Sequence, residues 1–190
     1  MIGVLVSGEG TNLQALLDAR LPVVAVASNK AGVRALERAP QVENAVFALE
    51  DYADREARDR AMADWLEERG AKLVVCAGYM HLLTPAFLQR FPGRVVNVHP
   101  APLPEFPGAH PLEDLLAAGA PNAAATVHFV DEGVDTGEVI ASEPVAVLPG
   151  DTVESLRERV HAVEHRLLPR VVRGLLGRGE ASLAPTETER

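Results

Sequence analysis

The sequence predicts an α/β fold: a Rossmann-like, open, mostly parallel sheet with helices on both faces and an antiparallel C-terminal strand pair. Three observations carry this. In the first half, short and almost wholly apolar runs alternate with segments of helical pattern, the mark of parallel strands covered on both faces. The first run leads into a glycine-bearing turn, Ser7-Gly8-Glu9-Gly10-Thr11, of the kind found between a strand and a helix. The last two apolar runs are joined by residues 131–137, too few for a helical crossover, so they pair antiparallel.

Each element is justified by local pattern. Residues 2–6 (IGVLV) form a strand, 12–19 a helix, 23–27 a strand and 33–39 a helix. Residues 45–49 give a short strand, and 53–69 a long charged helix that Gly70 ends. A buried strand over 73–77 precedes a short helix over 85–90 with Pro85 at its start, then a strand over 94–98. Residues 101–111 contain four of the chain's 14 prolines and form a long loop. A helix over 111–118, closed by Gly119, is followed by strands over 124–130 and 139–147. Asp151 and Glu154 have capping-box spacing and open a final helix with Val153, Leu156, Val160, Val163 and Leu167 on one face. Pro169 should kink or interrupt it, and the polar stretch 179–190 reads as a frayed tail. With no repeat and no linker, residues 1–190 read as one domain.

Composition narrows the function. The 47% apolar and 24% charged content is that of a globular protein, and no apolar run is long enough to span a membrane. The chain opens directly into a strand with no basic leader, and the single Cys76 cannot form an internal disulfide; both fit a cytoplasmic location. A net charge of −9 argues against a nucleic-acid partner. It leaves room for a small anion held by backbone donors at a helix start.

Two motifs bear on chemistry. Val95-Val96-Asn97-Val98-His99-Pro100 places an amide and an imidazole on one face of a strand at its carboxyl end, where ligands bind in open α/β sheets. Such a pair can stabilise an oxyanion and move a proton, or can merely cap a turn. Ser7 to Leu13 offers a one-phosphate site, with Thr11 or Asn12 capping the helix, or a turn needing glycine for shape alone. A dinucleotide is disfavoured. The third glycine of that fingerprint falls at Leu13, and the second strand ends in Ser28-Asn29-Lys30 with no acid for a ribose. Asp135, in a glycine-rich loop, could aim a carboxylate at an imidazole or shape its own turn. Among six histidines, His161 and His165 are spaced i,i+4 as for a metal, or as one surface and one packing residue, and His128 reads as a half-buried strand residue.

Taken in order, Ser7-Gly-Glu-Gly-Thr-Asn12, Asn97-Val-His99-Pro, Leu103-Pro104, Phe106-Pro-Gly108 and Val134-Asp135-Thr-Gly137 resemble the glycinamide ribonucleotide branch of the folate-dependent formyltransferases, over residues 1 to about 176. The Glu164-His165 pair supports that branch. The resemblance implies formyl transfer from 10-formyltetrahydrofolate to the amine of glycinamide ribonucleotide, in purine biosynthesis. It implies Asn97, His99 and Asp135 as catalytic residues, with Asp135 keeping His99 charged and oriented. Gly10, Thr11 and Asn12 would hold the substrate phosphate, and Glu164 its ribose or glycinamide. Arg55, Met80, His81, Leu82, Leu83 and Asn97 would contact the folate, with residues 131–135 facing the pterin. The implied partners are these two small molecules, with no metal, nucleic acid or membrane and no oligomeric state specified. His81 stands where arginine is common in the family, Ala101-Pro102 replace Ser-Leu, Glu105 a frequent lysine, and His161 a glutamine.

Related readings fit less well. Methionyl-tRNA formyltransferase would be expected to add a C-terminal nucleic-acid-binding domain, and formyltetrahydrofolate deformylase an N-terminal regulatory one. A non-catalytic nucleotide-binding module would have no use for Asn97 and Asp135.

Overall fold

The computed structural model describes residues 1–181, with side chains to residue 177. Its seven-stranded sheet contains β1 (Ile2–Val6), β2 (Val23–Ser28), β3 (Glu43–Val46), β4 (Leu73–Cys76), β5 (Val95–His99), β6 (Asn122–Phe129) and β7 (Val139–Ala146). The spatial order is β3-β2-β1-β4-β5-β6-β7. Strands β3, β2, β1, β4 and β5 are parallel; β6 runs antiparallel to β5, and β7 antiparallel to β6. The α/β architecture with its antiparallel C-terminal pair is as the sequence predicts.

Helices α1 (Thr11–Asp18), α2 (Arg34–Glu37), α3 (Arg55–Glu68), α4 (Pro85–Leu88), α5 (Pro111–Ala117) and α6 (Val153–Ala181) complete the domain. Successive strand side chains alternate between two cores. Val4 and Val6 pack with Leu13 and Leu16 of α1, Leu112 and Leu115 of α5, and Leu156 and Val160 of α6. Leu5 and Val74 face the opposite way, onto Met62 and Leu66 of α3 and Phe87 of α4. The chain reverses its winding between β1 and β4, so the crevice at their carboxyl ends is the topological position for a ligand.

Several local expectations are corrected. The third strand lies at Glu43–Val46, not 45–49, because its pairing stops where β2 stops, at Ser28 opposite Val46. Phe47 then turns into the core against Trp65, and Leu49–Asp51 form a single 3₁₀ turn. Helix α1 is capped by neither Thr11 nor Asn12: its N-cap is Gly10 in the left-handed region (φ 71°), with no side-chain cap. The capping box of α6 is shifted by one residue. The Thr152 hydroxyl accepts from Ser155 N–H (3.2 Å) and the Ser155 hydroxyl from Thr152 N–H (3.0 Å). Asp151 instead accepts from Leu148 N–H at 2.7 Å and pairs with Arg159.

Pro169 does not interrupt α6. An internal proline costs about 3 kcal/mol. Its buried neighbours Leu167, Leu168, Val171 and Val172 each gain about 1.5–3 kcal/mol by staying in the core, which decides for continuity. The helix also extends past Gly179 to Ala181; the rest of the expected tail, 182–190, lies outside the described residues.

Candidate active site

The loops after β1, β2 and β4 are tied together by one hydroxyl. Ser7 Oγ donates to Asn29 Oδ1 (2.6 Å) and accepts from the Met80 N–H (2.9 Å). This hydrogen bond fixes Met80 at the start of an apolar rim in which Met80 and Leu82 remain exposed while Leu83 is buried.

On the other side, β5 ends at His99 and pairs with β6 so that Asn97 lies opposite His128. Asn97 Nδ2 is 3.2 Å from His128 Nε2. The loop after β6 folds back to bring Asp135 over both strands. Two backbone features shape it. Asp135 itself has φ 52°, a conformation aspartate tolerates better than most residues. Gly137 passes so close to β6 that an added Cβ would sit 1.8 Å from Phe129 O.

Asp135 is the hub. Its Oδ2 lies 3.5 Å from His99 Nδ1, and its Oδ1 3.4 Å from His128 Nε2. Oδ1 also accepts from Asn97 Nδ2 at 3.4 Å, and Oδ2 from Gly108 N–H at 2.9 Å. His99 Nε2 is 2.7 Å from Phe106 O, and His128 Nδ1 is 2.7 Å from Phe129 O. Both nitrogens of each ring therefore face an oxygen. The Phe106-Pro107-Gly108 motif thus has a physical role: it closes the 100–110 loop over His99 and Asp135. Burial opposes ionisation of Asp135. The hydrogen bond from His128, the Gly108 N–H and the charge of His99 outweigh it and hold the carboxyl below the usual carboxylate range.

These groups open into a cavity of about 450 Å³ also lined by Asn12, Met80, His81 and Glu164. Asn12 Nδ2 donates to Glu164 Oε2 at 2.9 Å across the α1–α6 junction. The Asn12 Oδ1 is buried with no partner among the described residues. Glu164 is almost fully buried, and burial pushes its carboxyl up, offset in part by Asn12, His165 and His99. Burial likewise pushes the Cys76 thiol up to about 12, which leaves it an inert lining residue.

The structure therefore gathers Asn97, His99, Asp135, Asn12, Glu164, Met80, His81, Leu82 and Leu83 around one cavity. Gly10, Thr11 and Arg55 fall outside its lining. Gly10 and Thr11 sit at the start of α1, and Arg55 is exposed at the first residue of α3. Gly10 has a shape requirement of its own: a Cβ would meet Ala35 at 2.6 Å. His128 is the functional residue that sequence reasoning missed. The available signal was register, since pairing the strand of Asn97 with that of His128 sets the two side by side.

A doubly wound sheet with an amide, two imidazoles and a carboxylate at its switch-point cavity is the framework of an acid–base site suited to an oxyanion. Residues 1–172 match the family described as Formyl transferase, and the chain belongs to that family. It is 44% identical to the phosphoribosylglycinamide formyltransferase of Mycobacterium tuberculosis over 97% of this chain and 89% of that protein. The trifunctional purine biosynthetic protein adenosine-3 of Drosophila melanogaster is 41% identical over 97% of this chain. The chain spans 13–14% of the length of the insect trifunctional relatives. Among solved structures, glycinamide ribonucleotide transformylase 1 from Symbiobacterium toebii superposes with TM-score 0.88 at 46% identity, covering 90% of this chain and 85% of that one. Phosphoribosylglycinamide formyltransferase from Bacillus Halodurans gives 0.90 at 35% identity, covering 94% and 96%.

Proposed function

We propose that this chain is a folate-dependent phosphoribosylglycinamide formyltransferase. It transfers the formyl group of 10-formyltetrahydrofolate to the amine of glycinamide ribonucleotide, as a step of purine biosynthesis. The observation that carries this is the single carboxylate, Asp135, that touches both His99 and His128 beside Asn97. The continuous sheet with a core on each face supports reading residues 1–190 as one catalytic domain.

Each residue has a defined part in the reaction. The neutral amine attacks the formyl carbon, a C–N bond forms, and the carbonyl oxygen becomes an oxyanion. Asn97 Nδ2 and a protonated His99, whose Nε2–H must turn from the Phe106 carbonyl to the substrate, donate hydrogen bonds to that oxygen; losing one such donor raises a barrier by about 3–4 kcal/mol. Asp135 holds the imidazolium in place and stays ionised because its own carboxyl is held low. The former amine nitrogen loses a proton, the folate nitrogen gains one through His99 or a water, and its bond to the formyl carbon breaks. Gly10, Thr11 and Asn12, at the first turn of α1, bind the phosphate. Glu164 meets the ribose or glycinamide, and Asn12, whose Oδ1 is buried with no partner among the described residues, stands beside it. Met80, His81, Leu82 and Leu83 line the folate side, with Arg55 reaching the folate from the rim and residues 131–135 facing the pterin. Bringing two reactants into one cavity supplies much of the remaining acceleration. No metal is needed, and no nucleic-acid or membrane partner; no helix of the described residues is long and apolar enough to cross a membrane. A cytoplasmic location fits the reaction.

The test is to mix the protein with both substrates and monitor tetrahydrofolate. Formation that depends on glycinamide ribonucleotide is expected. Release without the ribonucleotide would overturn the transferase reading in favour of a hydrolase.

A further inference from the structure

Behind the Met80–Leu83 rim, and separate from the catalytic cluster, a charged pair is buried against His81. Arg58 and Asp59, consecutive in α3, have side chains with 0% exposure. Arg58 Nε and Nη2 donate to Asp59 Oδ1 at 2.9 and 2.6 Å, and Asp59 Oδ2 accepts from the Thr84 N–H at 2.8 Å. The remaining Arg58 nitrogen, Nη1, lies 3.2 Å from His81 Nδ1. A guanidinium has donors only and does not give up its proton. His81 Nδ1 is therefore the acceptor, and the proton of the neutral ring sits on Nε2. The Tyr79 ring, with its centroid 5.9 Å from that of His81, packs against the same imidazole.

We propose that Arg58 and Asp59 are positioning residues that lock His81 as a neutral Nε2–H tautomer lining the cavity. The donor so presented suits an acceptor on the bound cosubstrate such as a carbonyl or ring nitrogen. The ligand class rests on the formyltransferase reading; the tautomer does not. The surroundings agree. Arg58, Arg55 and Lys30 are the cations facing His81, and Asp59 is the anion. Burial first, then those three cations, hold the imidazole below its ordinary range, against the weaker pull of Asp59. The buried cation is neutralised by Asp59, so the pair adds no net charge to the cavity wall. A buried ion pair serving only stability would keep its donors within the pair, whereas Arg58 Nη1 reaches out to His81 Nδ1.

The experiment uses the full chain labelled with ¹⁵N-histidine and needs no substrate. Two-bond nitrogen–proton correlation spectra are recorded from pH about 7.5 to about 5.5, across the usual histidine range. His81, assigned by its absence in His81→Gln, is expected as the pure Nε2–H tautomer at the upper end of that window and to protonate only below the ordinary histidine value. A Nδ1–H tautomer, or protonation near the ordinary value, overturns the proposal. Removing Arg58 alone strands a buried carboxylate and endangers folding. The paired variant Arg58→Met/Asp59→Asn keeps an acceptor for Thr84 N–H and is the test of positioning. In it His81 is expected to show mixed tautomers; a pure Nε2–H tautomer as in wild type overturns the proposal. In turnover assays the same variant is expected to raise KM for the formyl donor about five- to tenfold with kcat within about twofold. A fall in kcat with KM unchanged overturns the cavity-facing role while leaving the transferase activity itself in evidence.

Discussion

The parallel side of the sheet, β3-β2-β1-β4, and the antiparallel side, β5-β6-β7, meet the cavity in different ways. The parallel strands reach it mainly beyond their carboxyl ends, through Asn12 in the first turn of α1 and the apolar rim beginning at Met80, with Cys76 at the end of β4. The antiparallel side reaches it through side chains within the strands, since pairing of β5 with β6 sets Asn97 beside His128. The Asn97–His128 pair is fixed by the β5–β6 ladder, itself flanked by β4 and β7, whereas a loop is fixed by a few contacts such as Ser7 to Met80. The lesson is a division of labour. Under the proposed reaction, the groups assigned to the transition state are on strands or clamped to them, and those assigned to the folate are on the apolar rim.

The largest expected effect tests the strand side. His99→Ala should lower kcat by about 10²- to 10³-fold with KM for either substrate nearly unchanged, because the lost donor matters most to the oxyanion. Steady-state kinetics decide this. Turnover within about tenfold of wild type removes His99 from the chemistry and breaks the comparison.

The turn before α1 gives the next largest effect, and on a different observable. Gly10→Ala forces a side chain into the left-handed region and to within 2.6 Å of Ala35. A loss of about 2–3 kcal/mol is expected, or roughly 6–10 °C in melting temperature for a chain of this size. A melting temperature unchanged to within about 2 °C, with weakened ribonucleotide binding, would mean that Gly10 serves the ligand and not the packing of α2.

His128→Gln sharpens the contrast at smaller scale. Asp135 keeps His99 and the Gly108 N–H but loses one ring donor. A drop of about tenfold in kcat is expected with little change in stability. A kcat equal to wild type would reduce His128 to a strand filler.

The same division explains which features are legible in the sequence. Parallel strands announce themselves as apolar runs, so β1, β2, β4 and β5 stand within a residue of where the pattern puts them. Asn97, His99 and Asp135 are legible because motif order carries them, and the structure clusters them. His128 is not legible, because one polar residue in an apolar strand reads alike whether it faces a core or a partner such as Asn97. Gly10 as N-cap is hidden for a related reason: the backbone contact that leaves no room for a Cβ there comes from Ala35, distant in sequence. Pro169 defeats the local rule because tertiary burial of its neighbours outweighs the cost of an internal proline.

The smallest expected effect lies where the two sides meet, at Glu164, which α6 delivers to Asn12 of α1. Its carboxyl is raised by burial, so the ionised form is the one the fold disfavours. Linkage sets the sign. Stability from the protonated carboxyl is complete below the unfolded value of about 4.3, and it is lost as pH rises through the raised folded value. Glu164→Gln keeps an acceptor for Asn12 Nδ2 and carries no charge. It should therefore melt about 2–4 °C above wild type at neutral pH, with the gap closing as the solution is acidified below the carboxylate range. The same substitution should raise KM for the ribonucleotide, since a charged acceptor for its hydroxyls or amine is gone. Opposite signs in stability and affinity are what a buried acid kept for a ligand predicts. A variant less stable than wild type at neutral pH would instead make Glu164 a structural tie between α1 and α6.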